Sequence, residues 1–200
     1  FSFSLEQLGV CVTGLDFSPR MIEECEKTKA TRNSSIRFTV CDWHDVDLKM
    51  LNWYKNFDLV LANMTPAVVS ADTFLKLSDA SRKWCLMVKP TMRKNAVLDQ
   101  LTALLGLAPE ANTLDADFIY AFELLWLSGL KPKVEYEEQF WENTWKTDNA
   151  IREYTLRISS THTLSPQQKE SIAQFLRDIS VEDYVKETTH TTIAAIYWQV

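Results

Sequence analysis

The first half of the chain alternates short apolar runs with helix-like segments, and this alternation constrains the fold more than any other feature. Apolar runs predict strands at residues 10–15, 36–40, 58–62 and 83–88. The segments between them carry helix signals, such as Ser18 and Pro19 at the start of a predicted helix. Strands that alternate with helices form parallel βαβ units. Because the runs are apolar on both faces, we expect an α/β fold with a doubly wound, mostly parallel sheet.

The second half has a different pattern. Helices are predicted at residues 115–127, 148–157 and 166–178, and strands at 132–140 and 190–199. The two strands are separated by helices, so they could pair as antiparallel partners at one edge of the sheet. The segment 115–145 is also rich in aromatic residues, which form either a subdomain core or an apolar wall of a ligand pocket. These residues are Tyr120, Phe122, Trp126, Phe140, Trp141 and Trp145.

Composition excludes several classes of function. The net charge of −6 argues against a broad nucleic-acid surface, which is usually basic. No apolar run reaches the roughly 18 residues that a membrane span needs, and no signal peptide is visible, so we expect a cytoplasmic protein. No cysteine or histidine has metal-ligand spacing, so no metal site is expected. The four cysteines are expected to be small buried thiols in a reducing compartment.

Three polar residues stand at successive strand ends: Asp16, Asp42 and Asn63. In an open α/β sheet, ligands bind just beyond the carboxyl ends of the strands, where an acidic residue commonly accepts hydrogen bonds from ribose hydroxyls. Asp16 is the candidate for that role. Asp42 could accept the exocyclic amine of an adenine, with Trp43 flanking the ring. The alternatives are that the aspartates only form turns or cap helices, and that Trp43 is a core aromatic.

The segments that contain these residues resemble the class I S-adenosylmethionine-dependent methyltransferases. The resemblance covers residues 1–106 and is carried by LDFSPRMIEECEK, IRFTVCDWHDV and FDLVLANMTPAV, followed by a strand with Lys89-Pro90. It implies a Rossmann-like sheet of seven strands whose antiparallel last strand is inserted beside the sixth. It also implies S-adenosyl-L-methionine as the cofactor.

The resemblance implies a role for each residue of the site. Asp16 would bind the ribose, Phe17 would pack beside the adenosine, and Asp42 and Trp43 would contact the adenine. Asn63 would lie near both the cofactor and the reacting methyl group. The expected substrate-binding residues are Met64, Thr65, Tyr120 and Trp126.

The expected organisation is a single methyltransferase-like domain over residues 1–200. Residues 1–106 would form the cofactor-binding half, and residues 107–200 the substrate-side half with the edge strands. Only four of the 200 residues are glycine and none are close together. The family's first strand and its glycine-rich turn are therefore not within this sequence, and we expect them to precede Phe1.

The expected reaction is an in-line displacement, in which positioning of the acceptor supplies most of the catalysis. A general base is needed only if the acceptor must lose a proton. His44 is the one histidine near the predicted crevice, so His44 and Asn63 are the catalytic candidates. The expected partner is a small-molecule substrate, with neither a membrane nor a nucleic acid. The alternatives are a non-enzymatic binding protein of the same fold and a nicotinamide-dependent oxidoreductase.

Overall fold

The computed structural model describes residues 1–108 and 113–200, which fall into two compact units. Unit 1 comprises Phe1–Met87, Glu123–Lys133 and Tyr197–Val200. Unit 2 comprises the described residues of Val88–Phe122 together with Val134–Ile196. The predicted cofactor-binding half, residues 1–106, and substrate-side half, residues 107–200, are defined by function and not by compactness. The boundary between these two halves stays a prediction.

The helices and strands follow the order that the sequence predicts, except that turns rather than a helix connect β2 to β3. The described helices are α1 Ser2–Gln7, α2 Pro19–Arg32, α3 Ala71–Ala80, α4 Ala96–Leu104, α5 Thr113–Leu127, α6 Thr147–Ser159 and α7 Pro166–Ile179. The described strands are β1 Thr13–Asp16, β2 Arg37–Val40, β3 Phe57–Asn63, β4 Ser81–Asn95, β5 Lys133–Lys146 and β6 Tyr184–Gln199.

The strands form two hydrogen-bonded groups. β1 and β2 pair in parallel, whereas the other four strands form a sheet in the order β3-β4-β6-β5. Val200 bonds to Lys83 and Thr192 to Thr91, so residue numbers fall along β6 as they rise along β4. The final strand is therefore antiparallel, which confirms the expectation from the sequence.

The first βα unit shows why these residues fold as they do. Asp16 ends β1, and the Ser18 hydroxyl then accepts a hydrogen bond from the Met21 N–H at 3.4 Å, which caps α2. Proline at the first helical position has the φ angle that a helix requires. A Cβ atom on Gly14 would lie 3.0 Å from the Phe38 ring of the neighbouring strand. Glycine at this position therefore leaves room for the Phe38 ring to lie against β1.

Unit 2 has an apolar core with a carboxylate inside it. Leu101, Ile172 and Leu176 are fully buried, and the buried Glu187 lies on β6 within the same unit. The carboxylate accepts hydrogen bonds from the Tyr154 hydroxyl and from the side-chain amides of Asn95 at 3.1 Å and Asn143 at 3.0 Å.

Burial and hydrogen bonding act on Glu187 in opposite directions. Burial by itself raises the pKa of this carboxyl group, but the hydrogen bonds donated by Tyr154, Asn143 and Asn95 favour the ionised form. The net result is a lowered pKa. Burial raises the pKa of the Tyr154 hydroxyl, and the neighbouring Glu187 raises it further. Tyr154 therefore remains a hydrogen-bond donor while Glu187 carries the charge.

Several local expectations are wrong. The sequence pattern predicts a short helix over residues 48–54, but these residues form successive turns, since the Asp47 carboxylate accepts hydrogen bonds from the Lys49 and Met50 N–H groups. β4 runs from Ser81 through Pro90 to Asn95, beyond residue 88, where the predicted strand ends. The expectation of buried thiols holds for Cys85, whose pKa burial raises to about 11, but Cys11 is exposed.

We expect Glu187→Gln to lower the free energy of unfolding by about 1–3 kcal/mol at pH 7, because a neutral amide cannot accept all of these hydrogen bonds. The folded-state pKa of Glu187 is lowered, so its contribution to stability is present above the unfolded-state pKa, about 4.3. It is lost as the pH falls through the folded-state value, so the difference between variant and wild type should shrink in acid.

Urea unfolding at pH 7 and below pH 4 measures this difference. Glu170→Gln is the matched control, because Glu170 is an exposed glutamate whose ion pair with Arg177 lies in solvent. An equal effect of the two substitutions at pH 7 would contradict the role of Glu187.

Candidate functional site

Parallel pairing brings Asp16 and Asp42 to the same edge of unit 1. Asp16 is in register with Val40, the last residue of β2, and Asp42 follows two residues later. The carboxyl ends of adjacent parallel strands lie at one edge of a sheet. The Asp16 and Asp42 side chains therefore lie at the same edge of the β1–β2 pair. Asn63 is the last residue of β3, in the other sheet but in the same unit.

Each of the two carboxylates is fixed by the backbone of its own turn. Oδ1 of Asp16 accepts a hydrogen bond from the Ser18 N–H at 2.8 Å, and Oδ1 of Asp42 accepts one from the His44 N–H at 2.9 Å. Both aspartates are therefore turn formers, as one alternative proposed. Within the described residues, Oδ2 of each side chain accepts no hydrogen bond from the protein. The same geometry thus orients each carboxylate and leaves one oxygen able to accept from a ligand.

Trp43 is buried, with 6% of its surface exposed, and its indole Nε1–H donates to the Thr73 carbonyl on α3 at 2.8 Å. The core-aromatic alternative therefore describes most of its surroundings, and its contact with adenine stays a prediction. Phe17, by contrast, is 68% exposed immediately after Asp16. An exposed phenylalanine beside an oriented carboxylate can pack against one face of a ligand.

The end of β3 has an unusual backbone conformation. Met64 has φ 51°, in the left-handed region that is costly for a residue with a side chain. The Thr65 hydroxyl accepts a hydrogen bond from the Ala67 N–H at 3.1 Å, and Asn63 and Met64 are exposed. This turn therefore presents an amide and a thioether to solvent beyond the strand.

The remaining predicted residues lie on exposed surfaces. His44 is exposed. Its backbone N–H and carbonyl form hydrogen bonds, whereas its ring forms none with the described part of the chain. Trp126 belongs to unit 1 and is 60% exposed, while Tyr120 belongs to unit 2 and is 65% exposed. Their roles toward the substrate stay predictions.

Two further observations concern the described residues only. Over residues 1–108 and 113–200, no group of three or more histidine, cysteine, aspartate or glutamate side chains is arranged to hold a metal ion. Among the described helices, none is both long and apolar enough to cross a membrane.

The family comparison agrees with this geometry. Residues 1–104 match the sequence profile of a family described as a methyltransferase domain. The match covers more than half of the chain, which therefore belongs to the class I methyltransferase family and is a methyltransferase. No curated protein is similar enough in sequence to match this chain.

Solved structures of proteins described as methyltransferases have a fold similar to that of this chain. A protein described as a type II methyltransferase from Anaeromyxobacter dehalogenans is 14% identical, with TM-score 0.53 over 94% of this chain and 80% of that chain. A protein described as a methyltransferase from Bacillus halodurans C-125 is 11% identical, with TM-score 0.50 over 95% of this chain and 83% of that chain. At such low identity the likeness concerns the fold alone. It confirms the expected Rossmann-like methyltransferase fold.

Sequence reasoning missed two groups of polar residues. Lys76 of α3 contacts the turn that contains Asp42, although it lies more than 30 residues further along the chain. In unit 2, the His190 ring bonds to the Glu138 carboxylate and stacks on Phe140, with the ring centroids 4.4 Å apart. The Thr192 hydroxyl, two residues further along the chain, donates a hydrogen bond to the same carboxylate. These contacts join distant segments, so no local sequence pattern indicates them.

We expect Trp43→Phe to lower the free energy of unfolding by about 1–3 kcal/mol, because it removes the hydrogen bond to Thr73 and part of a buried ring. Denaturant unfolding measures the change. Trp126→Phe provides the control, since Trp126 is exposed and surface substitutions usually change stability by less than about 0.5 kcal/mol. Equal stability of the Trp43 variant and the wild type would show that the indole is not an anchor of this turn.

Proposed function

We propose that this methyltransferase transfers the methyl group of S-adenosyl-L-methionine to a small-molecule acceptor. The observation that carries the proposal is the pair of oriented carboxylates, Asp16 and Asp42, at one edge of β1 and β2. Each has one oxygen fixed by a backbone N–H and one oxygen available. Such acceptors complement the donors of an adenosine, namely its ribose hydroxyls and its exocyclic amine.

The proposed roles follow from the chemistry of each side chain. Oδ2 of Asp16 accepts from the ribose hydroxyls, and Phe17 covers the adenosine beside it. Oδ2 of Asp42 accepts from the adenine amine, and Trp43 supports the turn that carries Asp42. A carboxylate that accepts a hydrogen bond from a ligand contributes more than a neutral group would, because the bond is charge-assisted.

The chemistry requires orientation more than proton transfer. The cofactor, when bound, supplies an activated methyl group on a sulfonium. The amide of Asn63 can both donate to and accept from an acceptor molecule, so it aligns the nucleophile for in-line attack. Met64 and Thr65 flank that position. His44 takes the proton from acceptors that must lose one.

The net charge and the exposed aromatic side chains of this protein favour a small acceptor molecule. The chain carries a net charge of −6, which disfavours a polyanionic substrate such as a nucleic acid. Tyr120 and Trp126 present exposed aromatic surface, which suits an apolar or planar molecule. Trp126 lies in the same unit as Asp16 and Asp42, so we assign Trp126 to the acceptor rather than to the cofactor, and the role of Tyr120 stays the one that the sequence predicts.

Isothermal titration calorimetry with S-adenosylhomocysteine tests the cofactor assignment. We expect the wild type to bind and Asp16→Ala to weaken binding at least tenfold, which corresponds to about 1.4 kcal/mol. Asp99→Ala, which removes an exposed aspartate in the first turn of α4 in unit 2, should leave the affinity unchanged. Absence of binding by the wild type would contradict the proposed function.

Transfer of a radiolabelled methyl group tests the acceptor class. The protein is incubated with labelled S-adenosylmethionine and a cell extract, which is then separated into small molecules, protein and nucleic acid. We expect the label in the small-molecule fraction, because the aromatic surface and the acidic charge favour such an acceptor. Label confined to nucleic acid or to protein would contradict this assignment.

A further inference from the structure

The turn that contains Asp42 is fastened to α3 by a lysine. The Nζ atom of Lys76 donates hydrogen bonds to the backbone carbonyls of Trp43 and His44, each at 2.9 Å. An ammonium group has three donors, and these two carbonyls use two of them. Within the described residues Lys76 forms no salt bridge with a carboxylate, so backbone oxygens are its main partners.

The hydrogen bond from Lys76 to the Trp43 carbonyl is connected to the Asp42 side chain by a single peptide group. The carbonyl of Trp43 and the N–H of His44 belong to the same peptide unit. Lys76 donates to the carbonyl end, and the N–H end donates to Oδ1 of Asp42 at 2.9 Å. A positive and a negative charge thus bind opposite ends of one peptide dipole. Such hydrogen bonds in series polarise and strengthen one another.

A second anchor fixes the same turn. The Trp43 indole donates to the carbonyl of Thr73, which lies one helical turn before Lys76 on α3. The Lys76 ammonium also lies 5.6 Å from the centre of the Trp43 ring. Residues three apart in a helix share a face, so one face of α3 holds the backbone and the side chain of Trp43.

α3 is a rigid support for these contacts. Its N-terminus has a capping box, in which Ser70 and Thr73 bond to each other's backbone N–H groups. Phe74 and Leu77 bury its apolar face. The helix therefore holds the backbone of Lys76 in a fixed position beside the turn.

We propose that Lys76 is a positioning residue for the cofactor site: through the Trp43–His44 peptide it orients the Asp42 carboxylate toward the adenine amine. This inference rests on the proposed function, in which Asp42 accepts from that amine. Lys76 itself touches neither cofactor nor substrate in this arrangement. Its effect is confined to the adenine end of the ligand.

The test compares two ligands that differ at the adenine amine. S-adenosylhomocysteine has the amine, whereas its 6-deamino analogue, in which purine replaces adenine, has only a hydrogen atom there and offers Asp42 no donor. We expect Lys76→Met, which keeps the aliphatic stem and removes the ammonium, to weaken binding of S-adenosylhomocysteine about fivefold to tenfold. Binding of the 6-deamino analogue should change less than twofold, because that ligand does not use the orientation of Asp42.

Lys55→Met is the matched control. Lys55 also donates to a backbone carbonyl of α3, that of Ser78 at 2.9 Å, but it does not contact the turn after β2. It should leave both affinities unchanged. If Lys76→Met does not fold, as judged by circular dichroism, Lys76→Gln replaces it, since glutamine keeps a neutral donor.

A double-mutant cycle with Asp42→Ala completes the test. When the carboxylate is absent, Lys76→Met should have no further effect on S-adenosylhomocysteine binding. Equal weakening of both ligands, unchanged affinity of the Lys76 variants, or additive effects in the cycle would each overturn the inference. Failure of the wild type to bind S-adenosylhomocysteine would instead refute the proposed function, so the two failures are distinguishable.

Discussion

The parallel pairing of β1 and β2 is the constraint on which the site depends. Side chains beyond the ends of two adjacent parallel strands lie at one edge, and the register of Asp16 with Val40 brings Asp42 to the same edge as Asp16. Within this pair the Phe38 ring of β2 lies against Gly14 of β1, where a Cβ atom would come within 3.0 Å of the ring. A change in the register of these strands would separate the two carboxylates.

Hydrogen bonding to the backbone gives these carboxylates their direction. Each aspartate uses one oxygen to close its own turn, and its other oxygen accepts no hydrogen bond from the described part of the chain. A turn-forming role is therefore compatible with the proposed binding role in the same side chain. The turn after β2 is additionally joined to α3 by Trp43 and Lys76, whereas the turn after β1 leads directly into the capped helix α2.

Buried polar groups organise unit 2 in a different way. Glu187 accepts from donors on β4, β5 and α6, so one carboxylate connects elements that are distant in the sequence. An ionised group in such a position is stabilised only when its donors are all present. The same donors hold its pKa below the ordinary value in spite of burial.

The sequence by itself determined most of the strands and helices, the strand-end residues Asp16, Asp42 and Asn63, and the cap of α2, because these depend on local patterns of apolar, capping and turn residues. It misjudged residues 48–54, where the Asp47 side chain competes for backbone N–H groups. Only the tertiary structure decided the hydrogen-bond partners of Lys76 and Glu187, which lie 32 to 92 residues away along the chain. Contacts of that separation depend on how the strands and helices pack, and local propensity carries no information about them.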